Sequence, residues 1–147
     1  MICIDIIYYF YYFNDMMEAQ IIKVLTRRVR NVIAIYIFGS FAANEMHKES
    51  DIDIAVLALD KLDNLQRWHI SQELAVLLQQ DVDLIDLKQA STVLRFQIIS
   101  TGKKIYCSDP KKCDEFEDLT YSFYIRLNEE RKEILDDIKK SGQVFHG

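Results

Sequence analysis

The chain has one proline and four glycines in 147 residues, too few for a long linker or a low-complexity tract. Lysine and arginine number 18 against 23 aspartates and glutamates, a formal net charge of −5. That deficit argues against broad binding to a nucleic-acid backbone, so no long RNA or DNA substrate is expected. The three cysteines, Cys3, Cys107 and Cys113, are odd in number and lack metal-ligand spacing, which fits a reduced, cytoplasmic chain. The apolar opening, MICIDIIYYFYYFND, is shorter than the roughly 20 residues that cross a bilayer core, and no membrane partner is expected. It has no lysine or arginine and no small-residue cleavage site, so no secretory signal is expected either. Residues 1–15 read as an N-terminal extension before Met16 and Met17, either dispensable or forming an extra edge strand or a hydrophobic patch for a partner. Apolar residues, by contrast, make up half of the chain, enough for one domain with a real core.

The chemistry-bearing residue types concentrate in residues 39–56, GSFAANEMHKESDIDIAV. Residues 31–38 (NVIAIYIF) are β-branched and aromatic over a strand's length, and Gly39-Ser40 ends the run abruptly. A strand thus delivers Gly39 and Ser40 to a turn. Glycine there lets the backbone approach a bulky anion, and a serine hydroxyl and the amides opening a following helix donate hydrogen bonds to phosphate. Asp51 and Asp53 then alternate with Ile52, Ile54 and Val56. Strand side chains repeat every second residue, so both carboxylates face the same way. Carboxylates so placed repel each other unless a cation lies between them. Mg²⁺ suits that role, because it takes oxygen ligands, keeps several waters and is shared between carboxylates and substrate phosphates.

Gly-Ser, ten residues, then Asp-x-Asp resembles the signature of the polymerase-β-like nucleotidyltransferase superfamily, and specifically of its small MNT (minimal nucleotidyltransferase) branch. The resemblance implies that Ser40 grips a nucleoside triphosphate, with Gly39, Lys48 and Ser50 as further nucleotide-binding residues. It implies that Asp51 and Asp53 hold metal ions that activate an attacking hydroxyl and neutralise the leaving pyrophosphate. It also implies a third carboxylate on a neighbouring strand, the third metal ligand and the base for the incoming hydroxyl. Residues 81–87 (DVDLIDL) alternate acidic and apolar, and Asp83 shares a face with Leu87 whereas Asp86 shares one with Val82 and Leu84. Only one of the two joins Asp51 and Asp53; Asp83 is the choice, since family examples place this acid directly after a valine or isoleucine at the strand's start. The family commonly reads G-S-x-A-R-G, and Ala43 and Asn44 stand here in the last two places. A basic group and a flexible turn beside the triphosphate are thereby lost, and Lys48 is the candidate substitute.

Around the signature, Met17, Ile21, Leu25 and Val29 recur at helical spacing from Asp15 onward. Arg27, Arg28 and Arg30 end that helix, where cations suit the dipole or reach a triphosphate or an acidic partner. After a strand over residues 51–59, Asp60 or Asp63 caps a helix whose Leu65, Trp68, His69, Leu74, Leu77 and Leu78 are expected to pack. His69 reads as a rim or partly buried histidine, and neither His47 nor His146 is assigned chemistry. A helix over residues 91–101 stops at Gly102, and a short strand over 103–107 follows. Arg95, Lys103 and Lys104 are candidate phosphate contacts or ordinary surface bases. Asp109-Pro110 breaks the chain before a long helix, residues 111–141, with Phe116, Leu119, Phe123, Leu127, Ile134 and Ile138 along one side. Tyr121 and Tyr124 flank that stripe, leaving room for a partner chain beside the sheet contact.

This alternation predicts an α/β (α+β) fold: a single polymerase-β-like nucleotidyltransferase domain over residues 16–147, with a mixed sheet flanked by helices. MNT proteins resembling this one stand beside HEPN-domain proteins as antitoxins. The resemblance therefore implies an Mg²⁺-dependent enzyme that transfers AMP from ATP to a tyrosine of a HEPN RNase toxin, in a hetero-oligomer with it. Two other readings stay open: transfer to a small-molecule hydroxyl, which normally needs a further substrate-binding domain, and a non-catalytic antitoxin that masks its partner, suggested by Ala43-Asn44.

Overall fold

The computed structural model describes residues 2–39 and 51–142. Its elements are α1 (Ile2–Arg28), β1 (Val32–Phe38), β2 (Ile52–Ala58), α2 (Asn64–Leu78), β3 (Val82–Asp86), α3 (Thr92–Thr101), β4 (Lys103–Cys107) and α4 (Pro110–Ser141). The strands lie in the order β3-β2-β1-β4. β1 runs antiparallel to both β2 and β4, while β2 and β3 are parallel, joined by α2 as the crossover. This is the mixed sheet with flanking helices that the alternation predicts.

β1 is buried along its whole length, and its period-two alternation divides the core. Ile35 and Ile37 join Ile52, Ile54 and Val56 against Met17, Ile21, Leu25 and Val29 of α1 and Ile70 and Leu74 of α2. Ala34, Tyr36 and Phe38 join Ala55 and Leu57 against Ile98 of α3 and Cys113 of α4. The helices start where short polar side chains accept orphan amides. Asp63, not Asp60, caps α2 by accepting from the Gln66 amide at 2.7 Å. Ser91 caps α3, and Asp109 caps α4 with Pro110 in the first turn. Asp86, only 2% exposed, accepts from the Leu62 amide, the Lys88 amide and the Gln89 side chain, each at 2.9 Å. It thereby ties the segment before α2 to the turn after β3. Gly102 ends α3 with an extended φ of −77°, and a Cβ there would press on the Ile37 carbonyl at 3.1 Å and the Phe38 Cβ at 3.3 Å. The same Cβ would run into the Ile98 carbonyl oxygen of α3 itself, so the turn out of the helix together with the approach to β1, not a left-handed conformation, is what requires glycine at this position.

Three expectations change. The opening segment forms no edge strand: α1 begins at Ile2 and continues unbroken into the expected helix, with the Tyr8 and Tyr12 rings stacked at 6.5 Å one turn apart. In α2 only Ile70 and Leu74 are buried, and Leu65, Trp68, His69 and Leu77 are exposed, because the helix lays one narrow stripe on the sheet and α1. In α4 the buried residues are Cys113 and Thr120. Leu119, Phe123 and Ile134 are exposed: Leu119 lies about 100° around the helix from Thr120, and Ile134 lies beyond the sheet, because 32 helical residues reach about 48 Å while the seven of β1 span about 23 Å. None of the helices among the described residues is long and apolar enough to cross a membrane.

Two substitutions in α2 separate its covered stripe from its open face. Ile70→Ala is expected to lower unfolding free energy by about 2–5 kcal/mol, and Trp68→Ala to change it by less than about 0.5 kcal/mol, as read by urea unfolding.

Candidate active site

The antiparallel pairing of β1 and β2 brings the end of one strand to the start of the other, with Phe38 opposite Asp53. Gly39 follows in a left-handed conformation, φ +76°, with its Cα against the Asp53 carboxylate. A Cβ at this position would run into a carboxylate oxygen. The positive φ favours glycine, and any larger residue would also have to move the Asp53 carboxylate aside. On the other side of β2, the parallel register sets Ile52 opposite Val82 and Asp53 opposite Asp83. Residues opposite one another in a sheet share a face, so Asp53 and Asp83 project together on the face of Phe38, Ala55 and Leu57. The Ile52 amide donates to the Asp81 carbonyl at 2.8 Å, which fixes the start of β2 and with it Asp51.

Asp51 and Asp83 are exposed and Asp53 is half-buried. Burial pushes the Asp53 carboxyl above the usual carboxylate range, and the charges of Asp83 and then Asp51 push it further in the same direction. A cation at this edge would reverse the last two effects. The donors are all carboxylate oxygens, the ligand type that Mg²⁺ takes. Among the described residues no three acidic, histidine or cysteine side chains already close around a common metal point.

Asp86 stands apart from this edge, its oxygens taken by the two amides and the Gln89 side chain. Ser40, Lys48 and Ser50 lie outside the described residues, as do Ala43, Asn44, His47 and His146. Five of the other candidate cations are engaged in the scaffold. Arg27 and Arg28 pair with Glu73, joining the end of α1 to α2. Arg95 donates to the Leu87 and Lys88 carbonyls, both at 2.7 Å, and lies over the Phe116 ring. Lys103 pairs with Glu18 at 2.6 Å and Lys104 with Glu117 at 3.0 Å. The Glu117 carboxylate also accepts from the buried Tyr36 hydroxyl at 2.7 Å, an interaction across 81 residues with no local signal in the sequence. Burial and that carboxylate raise the Tyr36 pKa strongly. His69 is exposed, its ring edge-on to Trp68.

A glycine turn against one carboxylate, with a second carboxylate in register beside it, lies within residues 19–111, which match the family model described as Polymerase beta, Nucleotidyltransferase. The chain belongs to this nucleotidyltransferase family. It is 46% identical over 122 residues to the protein adenylyltransferase MntA of Shewanella oneidensis, covering 82% of this chain and 86% of that protein. It is also similar to a crystal structure of a toxin-antitoxin with AMP-PNP, with TM-score 0.75, 44% identity, and coverage of 83% of this chain and 98% of the other. A structure of a tri-AMPylated Shewanella oneidensis HEPN toxin in complex with MNT antitoxin matches with TM-score 0.71 and 42% identity, covering 85% of this chain and 98% of the other. In this nucleotidyltransferase chain the family match takes in all four strands and stops in the first turn of α4.

Gly39→Ala is expected to displace the Asp53 carboxylate and cut nucleotidyl transfer by at least about 10-fold, with far-UV circular dichroism unchanged. Folding raises the Asp53 pKa above its usual 3.8, so this group's stabilising contribution is full below that pH and is lost as the pH rises through the raised value. In metal-free protein, Asp53→Asn is therefore expected to raise Tm at pH 7, and the gain should vanish in thermal melts below about pH 3.8.

Proposed function

We propose that this nucleotidyltransferase is an Mg²⁺-dependent protein adenylyltransferase that neutralises a HEPN-type RNase toxin by moving AMP from ATP to a tyrosine hydroxyl of that partner. The observation that carries the reading is the in-register Asp53 and Asp83 pair beside Asp51 and Gly39, in a chain 46% identical to a protein adenylyltransferase. The toxin-antitoxin relative with AMP-PNP and the relative complex with an AMPylated HEPN toxin support both the co-substrate and the acceptor class.

Asp51 and Asp53 would hold Mg²⁺, with Asp83 as a third ligand. When bound, the metal supplies charge neutralisation at the triphosphate and at the departing pyrophosphate. Ser40, with Gly39 and Ser50, grips the triphosphate, and Lys48 provides positive charge where the family more often has an arginine. A tyrosine hydroxyl has a pKa of about 10 and needs a base near neutral pH. Asp83, exposed on the edge strand and free of the amide contacts that occupy Asp86, takes that proton. The phenolic oxygen then forms a bond to the α-phosphorus as the bond to the bridging oxygen breaks and pyrophosphate leaves. The exposed Phe123 and Ile134, about three turns apart on one face of α4, give the toxin an apolar surface to dock on. Free thiols at Cys107 and Cys113 accord with a reducing, cytoplasmic setting.

The test is intact-protein mass spectrometry of the HEPN partner after incubation with this protein, ATP and Mg²⁺. The expected result is a gain of one or more AMP units, absent when Asp51→Ala and Asp53→Ala are combined. The altered Ala43-Asn44 motivates a second reading, a masking antitoxin; a stable complex without mass gain, and a double variant that protects as well as the parent, would establish it.

A further inference from the structure

We propose that Cys107 and Cys113 form a thiol-modification site, at which a small-molecule disulfide converts the pair into an intrachain disulfide fastening the last residue of β4 to the first turn of α4. The two sulfurs stand 2.8 Å apart. A disulfide bond is about 2.05 Å long, so small side-chain rotations close the gap. The backbone on both sides is held independently of the sulfurs. Cys107 lies opposite Ala34 in the sheet. The Ser108 amide donates to the Ile33 carbonyl at 2.9 Å and its hydroxyl to the Val32 carbonyl at 2.6 Å. Asp109 caps α4, Pro110 opens it, and the Cys113 amide donates to the Asp109 carbonyl at 3.0 Å. The thiols are thus kept together by strand pairing and a helix cap. Their site is also separate from the carboxylate edge: Cys107 aligns with Ala34, whereas Asp53 aligns with Phe38 at the other end of β1.

The two thiols differ in access, and this sets the order of events. Cys107 is half-buried and Cys113 fully buried. Burial, followed by the hydrogen bond to Cys107, pushes the Cys113 thiol up to about 12. Cys107 therefore attacks first, as its thiolate, on one sulfur of glutathione disulfide. A mixed disulfide forms and one glutathione thiolate leaves, taking up a proton. Cys113 then attacks the Cys107 sulfur, forming the internal bond and releasing the second glutathione, which receives the Cys113 proton. Two thiols are oxidised by two electrons and one glutathione disulfide is reduced to two glutathiones. In a reducing compartment such a bond is transient and reports on oxidant.

The experiment uses the full chain carrying Cys3→Ser, treated with glutathione disulfide and analysed by intact mass, non-reducing peptide mapping and thermal melts. The expected result is a loss of two hydrogens, a cross-linked peptide pair containing Cys107 and Cys113, and a Tm raised by about 5 °C and restored by dithiothreitol. Cys107→Ser, at the more accessible position, is expected to show neither the mass loss nor the Tm shift. Accumulation of a stable glutathione adduct on Cys107, or a mass unchanged while a control surface thiol reacts fully, would overturn the proposal.

Discussion

Like charges gathered at one end of a sheet push apart, and what resists them here is the position of β2. That strand lies between β1 and β3, and all of its residues except Asp53 are buried. Its two ladders do different work. The antiparallel one brings the end of β1, with its left-handed glycine, against Asp53; the parallel one sets Asp83 level with it. A slip of one residue would turn Asp53 into the apolar layer shared by Ile52 and Ile54 and bring those isoleucines to the edge. Repulsion among the carboxylates is therefore opposed by the whole hydrophobic register of the sheet.

The crossover through α2 is a necessary part of that arrangement, since parallel strands cannot be joined by a tight turn. Its ends are secured by polar contacts more than by surface ion pairs. The Asp63 cap starts α2, and Asp86 gathers the chain on either side of the helix and of β3. Arg27 and Arg28 with Glu73 lie exposed between α1 and α2, where such pairs contribute little, and the burial of Leu25, Ile70 and Leu74 holds the layer.

The strands and the acidic edge were legible in the sequence because a period of two is a local property. Parity put Asp83 and Asp86 on opposite faces, the family resemblance chose Asp83, and the structure gives Asp86 a task in the scaffold. What was not legible depends on distance along the chain. Nothing near Asp86 announces the Leu62 amide, and nothing near Lys104 or Tyr36 announces Glu117. Apolar spacing in α2 and α4 indicated a stripe without indicating what covers it, so Trp68 and Phe123 were expected to pack and are open. The isoleucines, tyrosines and phenylalanines before Asp15 have strand-like propensity, yet they continue a helix whose nucleus already exists downstream.

Helix α1 also determines the surroundings of the site. Glu18 pairs with Lys103, and Lys103 lies opposite Ile37, so the helix is already level with the carboxylate end of β1 at that residue. From there it runs on to Ile2, about 24 Å beyond the last rung of the sheet. The carboxylate edge is therefore not a flat rim open on all sides. A post bearing the exposed Tyr8, Tyr11 and Tyr12 rises beyond it from the layer opposite Asp53 and Asp83.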